Sequence, residues 1–141
     1  MVRINLRRMR QLMRETHKLL WKLEKAQAYA TRSSAPLSEL PWGRGNRSRV
    51  EEGAIRISEL REAYEEALDE LGEMRSRLDP IISGLKNADD RAVMRLRYIK
   101  GFDPDDISEA VCLTERMIYY ILRRSEDQIA RMYPDKVWPG R

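Results

Sequence analysis

Residues 103–124 read DPDDISEAVCLTERMIYYILRR, the most informative stretch of the chain. Asp103 and Pro104 combine a capping residue with a first-turn proline, which predicts a short helix beginning here. The turn at Cys112 is too short for anything but a sharp helix–helix crossing. Thr114 is a suitable N-cap for a second helix. The stretch therefore predicts two helices joined by a tight turn, a helix-turn-helix layout.

The second helix, predicted over residues 114–131, combines an apolar stripe with a basic and aromatic outer side. In a helix-turn-helix, the second helix enters the DNA major groove by its N-terminal residues. Arginine can bind guanine, glutamate can accept from cytosine, and tyrosine can contact a phosphate or a thymine methyl group. The alternative is a surface helix with ordinary charges and a partly buried Tyr pair. The DNA interpretation predicts contacts from Thr114, Glu115, Arg116, Tyr119, Tyr120, Arg123 and Arg124.

A further helix is predicted just before this stretch. Asn87 can cap its start, and the two aspartates that follow suit the positive end of the helix dipole. Gly101 stands where a left-handed C-cap is needed. Together with the two helices above, this makes a small bundle over residues 87–133, followed by a C-terminal tail at 134–141.

Two heptad ladders occupy the first part of the chain and predict long helices of coiled-coil type. The first predicts a helix between about residue 4 and residue 30, with the seam residues Leu6, Met13, Leu20 and Gln27 and, three residues on, Met9, Thr16, Leu23 and Ala30. The second has the stronger pattern, with an expected kink or restart at Asp79-Pro80 because proline lacks the N–H group. Its seam residues are Val50, Ile57, Tyr64, Leu71, Leu78 and Leu85, with Gly53, Leu60, Ala67, Met74 and Ile81.

The simplest arrangement of these helices is an antiparallel hairpin over residues 1–86. Its connecting loop is predicted at residues 31–49, where Pro and Gly are frequent. Arg44, Arg47 and Arg49 in this loop are candidate phosphate contacts; a loop tip without a ligand is the alternative. Because a two-helix hairpin has a small core, the sequence predicts a homodimer or higher oligomer.

Charge is distributed unevenly along the chain. Residues 1–49 contain twelve Lys/Arg and three Glu, a net charge of +9, whereas residues 50–87 carry −5. Opposite signs predict that the flanks of the two long helices attract each other. Residues 88–141 contain ten cationic and ten acidic side chains, so the predicted DNA-binding unit is itself neutral.

The composition argues against several classes of protein. One cysteine and one histidine, Cys112 and His17, cannot form an internal disulfide, a Cys-based zinc site or a His-rich metal site. Asp105 and Asp106 are better explained by the helix dipole than by a metal. No apolar run approaches the ~18 residues of a membrane span. The sequence therefore predicts neither an enzyme nor a metal or cofactor, and no membrane partner.

Residues from about 88 to 132 resemble region 4 of the sigma-70 family, which binds the −35 promoter element. The matching positions are Arg97, Tyr98, Gly101, Asp106, Ile107, Ser108, Cys112, Leu113, Thr114, Ile118, Ile121 and Arg124. Ser108 and Cys112 replace the usual Ala and turn Gly. The resemblance implies base contacts at Glu115, Arg116 and Tyr120, and a phosphate contact at Tyr119 or Arg124. The types at these positions differ from the usual ones, so it does not imply a −35 consensus.

The whole chain resembles small phage and prophage proteins related to the ArpU and RinA transcription regulators. The architecture in common is a helical hairpin with a small/Pro-rich loop, followed by a region 4-like helix-turn-helix. This resemblance implies an all-α fold and a sequence-specific regulator of phage or prophage genes in the bacterial cytoplasm.

Two other functions remain open from the sequence. One is phage DNA packaging, as in a small terminase subunit, which also joins a helix-turn-helix to helical oligomerisation elements. The other is a protein-interaction module that binds RNA polymerase or another protein and does not contact bases. The neutral charge of residues 88–141 favours the latter, since DNA-binding units are usually basic.

Overall fold

The computed structural model describes residues 3–34 and 43–138, except for the side chains of residues 32–34 and 43–49. These residues are mostly helical, which confirms the all-α prediction, apart from one pair of two-residue strands. The elements in chain order are β1 (Ile4–Asn5), α1 (Leu6–Ser34), α2 (Gly43–Ser83), α3 (Ala88–Met94), a π-helical segment (Arg95–Ile99), α4 (Pro104–Val111), α5 (Glu115–Met132) and β2 (Val137–Trp138).

The chain divides into two units, and the first combines Met1–Met13 with Glu70–Arg141. Its core draws on both ends of the sequence, because the start of α1 and the end of α2 contribute fully buried side chains along with α3 to α5. Of the predicted seam of the second long helix, Leu71 and Leu78 of α2 are buried here, and so is Leu85, just after the end of α2. The largest fully buried side chains of this unit are Leu6, Met9, Leu12, Leu71, Leu78, Ile82, Leu85, Met94, Tyr98, Ile107, Ile118 and Ile129.

The second unit, Arg14–Asp69, contains the rest of α1 and the first part of α2. Thr16, Leu23 and Ala67 from the predicted seams are buried in it. Other seam positions are more open, since Leu20 is 37% exposed and Val50 is 50% exposed. The core of this unit is therefore small, and several apolar side chains remain at its surface.

Charge pairing between the two long helices is limited. In the first unit, Arg8 donates from Nε and Nη2 to the two carboxylate oxygens of Glu70, each at 3.1 Å. In the second unit, none of Arg14, Lys18, Lys22 and Lys25 forms an ion pair within the described part of the chain. The attraction predicted from the charge distribution is therefore seen in the Arg8–Glu70 pair, whereas these four cations of the second unit form no such pair among the described residues.

Two predicted boundaries differ from the structure. Of the loop predicted at residues 31–49, residues 31–34 belong to α1 and residues 43–49 to α2, while residues 35–42 lie outside the description. The helix restart predicted at Asp79-Pro80 does not occur, because α2 continues through Pro80 to Ser83. Packing explains the continuation. Ile81 and Ile82, in the last turn after Pro80, are 8% and 0% exposed.

Residues of the predicted C-terminal tail form β2, which pairs in parallel with β1 through Ile4 with Val137 and Asn5 with Trp138. The Ile4 amide donates to the Lys136 carbonyl at 2.7 Å, and Val137 is 2% exposed. The start and the end of the described chain thus meet. A pair this short between distant segments leaves no alternating pattern in the sequence that could predict it.

The connection from α2 to α3 is held by arginines. Arg91 donates to the Leu85 carbonyl at 2.6 Å and to the Lys86 carbonyl at 3.0 Å. Arg95 bonds Asp79 Oδ1 at 3.3 Å. The bonds of Arg91 therefore supply partners to carbonyls of the connection itself, which follows the end of α2 at Ser83, and the bond of Arg95 ties the π-helical segment to the last turns of α2.

Candidate nucleic-acid interface

The turn between α4 and α5 occupies residues 112–114 and is sharp, as predicted. Cys112 is left-handed, with φ 57° and ψ 41°, at the position where the region 4 pattern has glycine. The hydroxyl of Ser108 donates to the Leu113 carbonyl, a bond that the usual alanine could not make. Of the two departures from the region 4 pattern, Cys112 therefore lies in the turn before α5, and Ser108 bonds to the turn from α4.

Thr114 fixes the first turn of α5. Its backbone is extended, and its hydroxyl oxygen accepts from the Met117 amide at 3.2 Å, which is the geometry of an N-cap. The predicted capping role of Thr114 is confirmed. With the hydroxyl occupied in this bond, the expected DNA contact of Thr114 stays a prediction.

One side of α5 is buried against its own unit. Ile118, Ile121, Leu122 and Ile129 are at most 6% exposed, with α3 and α4 as the main neighbours of the helix. The opposite side is open: Tyr119 and Tyr120 are 57% and 59% exposed. All the residues predicted to contact DNA are exposed, namely Thr114, Glu115, Arg116, Tyr119, Tyr120, Arg123 and Arg124. The structure thus places them on accessible positions of one helix and its cap.

Arg124 is less available than its position suggests. Its Nη2 donates to Asp90 Oδ1 at 2.5 Å, and Asp90 itself is 3% exposed on α3. The guanidinium carbon also lies 5.3 Å from the centre of the Tyr120 ring. The hydrogen bond to Asp90 raises the pKa of Arg124. Arg124 therefore links α5 to α3 and positions the Tyr120 ring. A DNA phosphate that bound Arg124 would compete with Asp90 for its guanidinium group.

Two neighbouring carboxyl groups, one at the start of α4 and one at the start of α5, form an acidic pair. A hydrogen bond between the side chains of Glu115 and Asp105, together with the negative charge of Asp105, raises the pKa of Glu115. Both residues occupy first turns, where the helix dipole favours negative charge. They offset the cations of α5, so the exposed start of this helix is not a strongly positive surface.

A buried polar network supports α5 from behind. Tyr98 is 0% exposed; its hydroxyl donates to Glu126 Oε1 at 2.5 Å and accepts from Arg10 Nη1 at 2.8 Å. Burial, and then the charge of Glu126, raise the pKa of Tyr98. The network joins α1, the π-helical segment and α5. The roles of Arg10 and Glu126 could not be predicted from the sequence, because no local pattern links residues so far apart.

The predicted phosphate contacts Arg44, Arg47 and Arg49 have a helical backbone at the start of α2, and their side chains lie outside the description. Elsewhere, the described residues contain no group of three His, Cys, Asp or Glu side chains placed to hold a metal ion. No helix within residues 3–34 or 43–138 has the length and apolar character needed to cross a membrane.

Comparison with known proteins identifies a family but no individual relative. Residues 33–130 match a family described as "Protein of unknown function (DUF1492)". This range runs from the end of α1 almost to the end of α5, and it includes the turn and the exposed residues described above. No curated protein and no solved structure matches the chain. Since the match covers more than half of its length, the chain belongs to the DUF1492 family of proteins of unknown function.

Proposed function

We propose that this protein is a sequence-specific DNA-binding transcription regulator of phage or prophage origin that acts in the bacterial cytoplasm. In this proposal α4 and α5 form a helix-turn-helix, and α5 lies in the major groove. The observation that carries the proposal is the two-sided character of α5. One side is buried against its unit, and the other exposes arginine, tyrosine and glutamate from a capped N-terminus.

Five of the exposed side chains have a DNA contact in this proposal. Arg116, in the first turn, is the candidate for two hydrogen bonds to guanine, and Glu115 for accepting from cytosine. Tyr120, held beside Arg124, contacts a base edge or a thymine methyl group. Tyr119 and Arg123 are candidates for phosphate contacts, which set the register on the duplex but carry no sequence information.

Association of two chains through their long helices would bring two α5 helices together. The second unit retains exposed apolar side chains, including Ile55 at 57% and Leu68 at 38%, that association of two chains would cover. A twofold arrangement would present two α5 helices to two half-sites of a DNA site. The proposal therefore includes a homodimer through the helical hairpin.

Removing two base contacts tests the proposal. The double substitution Arg116→Ala with Tyr120→Ala is expected to abolish specific binding to a selected DNA site, because each good base contact is worth ~1–3 kcal/mol of discrimination. Fluorescence anisotropy with specific and scrambled duplexes at fixed salt measures this directly.

The matched control is Arg131→Ala with Met132→Ala, which also changes two exposed residues of α5 but in its last turn. We expect it to keep the specific affinity. Full specific affinity of the Arg116/Tyr120 variant, with circular dichroism unchanged, would overturn base recognition by α5.

A protein-interaction module is the second candidate, and a specific observation favours it. Asp105 and Glu115 place negative charge at the start of α4 and α5, and Arg124 is already paired with Asp90. Such a surface is less attractive to phosphate than the usual DNA-binding unit. Capture of RNA polymerase by the protein, with no detectable specific DNA binding, would select this alternative.

A further inference from the structure

We propose that a basic stripe on α1 is a second DNA-binding surface, one that binds the phosphate backbone without regard to sequence. The stripe consists of Arg14, Lys18, Trp21, Lys22, Lys25 and Tyr29. It lies within the second unit, and it is separate from the residues of α5 assigned above. It does not depend on base recognition by α5.

Helical spacing places these side chains together. Arg14, Lys18, Trp21, Lys25 and Tyr29 follow one another at intervals of four, three, four and four residues, so they share one face of a helix. Lys22 lies next to them, four residues after Lys18. The buried residues of this part of α1, Thr16 and Leu23, lie on the opposite face. The stripe therefore points away from the core of its unit.

The stripe is accessible and positively charged. All six side chains are exposed, Trp21 by 59% and Tyr29 by 72%. Of the carboxylates in this part of α1, Glu24 lies outside the stripe and Glu15 borders it near Lys18 and Lys22, and the four cations of the stripe form no ion pair among the described residues. Uncompensated charge of one sign along a helix attracts a polyanion.

The aromatic side chains fit the same ligand. Lys25 Nζ lies 4.6 Å from the centre of the Trp21 ring, so a cation and an aromatic ring form one contact surface. Tyr hydroxyl groups and Lys or Arg side chains are common donors to DNA phosphates. The stripe spans ~22 Å, a length over which B-DNA carries about thirteen phosphate charges.

Two other occupants fit less well. A membrane-surface helix buries an apolar face in lipid and keeps its cations on the other side, whereas the apolar face of α1 is used by its own unit. A second copy of the chain would meet the helix through aliphatic side chains, as in a coiled coil, and the stripe has none. A phosphate backbone needs only charge and hydrogen-bond donors, which the stripe supplies.

A charge-neutralising variant of the full chain tests the proposal. Lys18→Gln with Lys22→Gln and Lys25→Gln is compared with the wild type on a duplex of unrelated sequence, titrated from about 50 to about 200 mM salt. Loss of three phosphate contacts should lower the slope of log K against log salt by about 2–3. Affinity at the lowest salt should fall by at least about tenfold.

The matched control is Arg56→Gln with Arg61→Gln and Lys86→Gln, three exposed cations whose removal changes the net charge equally. We expect it to keep the wild-type slope. Equal slopes for both variants and the wild type overturn the proposal. The proposal is also overturned if the Lys18/Lys22/Lys25 variant loses binding to phosphatidylglycerol vesicles but not to DNA. It is overturned as well if that variant differs from the wild type only in its molecular mass in solution.

The outcome is separable from that of base recognition. The Arg116/Tyr120 variant should lose specific binding and keep its affinity for unrelated duplexes. The Lys18/Lys22/Lys25 variant should show the reduced salt slope on both kinds of duplex. If the protein recognised no bases at all, the Lys18/Lys22/Lys25 variant would still show the reduced salt slope.

Discussion

Tyr98 is the residue on which the arrangement behind α5 depends most directly. Its hydroxyl lies between the guanidinium of Arg10 and the carboxylate of Glu126, and its backbone carbonyl accepts from Arg75 Nε at 2.7 Å. Arg10 also lies 3.6 Å from Glu126, which makes a closed triad. Buried polar groups contribute to stability only while each keeps its partner.

Replacing Tyr98 by phenylalanine should destabilise the fold by about 1–3 kcal/mol, because both charged groups lose a hydrogen bond inside the protein. Urea unfolding measures the change in the free energy of unfolding. Tyr119→Phe, which alters an exposed tyrosine, should stay within about 0.5 kcal/mol of the wild type. Equal stability of all three proteins would show that the triad is not a structural contact.

The same hydroxyl predicts a pH dependence at the alkaline end. Burial and Glu126 raise the pKa of Tyr98 in the folded state above its ordinary value of 10.0. Above about pH 10 the unfolded chain therefore releases this proton while the folded chain keeps it, so stability falls as pH rises. Tyr98→Phe should remove this contribution, and the slope of stability against pH above 10 should be shallower in that variant.

Residues that act on their near neighbours could be predicted from the sequence. Asn87 accepts from the Asp89 amide at 2.9 Å, Gly101 has φ 77°, and Thr114 caps α5, all as expected. Contacts between residues far apart in the sequence could not be predicted. Asp90 was expected to compensate the dipole of α3, and its pairing with Arg124 depends on how α3 and α5 pack.

Among the elements, the turn between α4 and α5 shows how a local departure from a pattern is accommodated. Cys112 adopts the left-handed conformation that usually falls to glycine. For a residue with a Cβ atom this costs ~1–2 kcal/mol. The bonds of Ser108 to Leu113 hold the turn closed nevertheless.

Cys112→Gly should therefore stabilise the protein by about 0.5–1 kcal/mol, after the entropy that glycine adds to the unfolded chain is subtracted. Thermal unfolding under reducing conditions checks the sign. Cys112→Ala serves as the control, because it removes the sulfur and keeps the Cβ atom, and we expect no gain from it. A destabilised glycine variant would mean that the Cys side chain itself holds the turn.

Helices with strong periodicity were predictable as elements, and their ends and interruptions were less so. The α2 seam was correctly predicted at Leu71 and Leu78, which are buried, and Leu85 of the same predicted seam is buried beyond the end of α2 at Ser83. The π-helical segment Arg95–Ile99 was not predicted. It arises where the Lys100 amide donates to the Arg95 carbonyl, five residues back, and the sequence there has an ordinary helical pattern. Around this segment, Val93, Met94 and Tyr98 are buried.

At the scale of the whole molecule, the proposed association through the long helices predicts an oligomer in solution. Val50 and Ile55 on α2 are 50% and 57% exposed, and a monomer would leave them in water. Burying such side chains on association contributes ~25 cal/mol per Å² of apolar surface.

Light scattering after size-exclusion chromatography should give a dimer or larger assembly of the 16.7 kDa chain. Val50→Ser with Ile55→Ser should shift the protein towards monomer. Met117→Ser with Met132→Ser, which alters exposed apolar residues of α5, should not. A ring of many subunits would favour the DNA-packaging alternative, and a wild-type monomer at high concentration would contradict the dimer.

The central claim is that α5 recognises a DNA sequence, and selection of bound duplexes from a random pool tests it most directly. The selection is done at one stated salt concentration near physiological strength, because non-specific affinity depends steeply on salt. We predict an enriched site with two half-sites, lost when the selection is repeated with the Arg116/Tyr120 variant. A pool that stays random for the wild-type protein, while the protein still binds DNA, would contradict the claim.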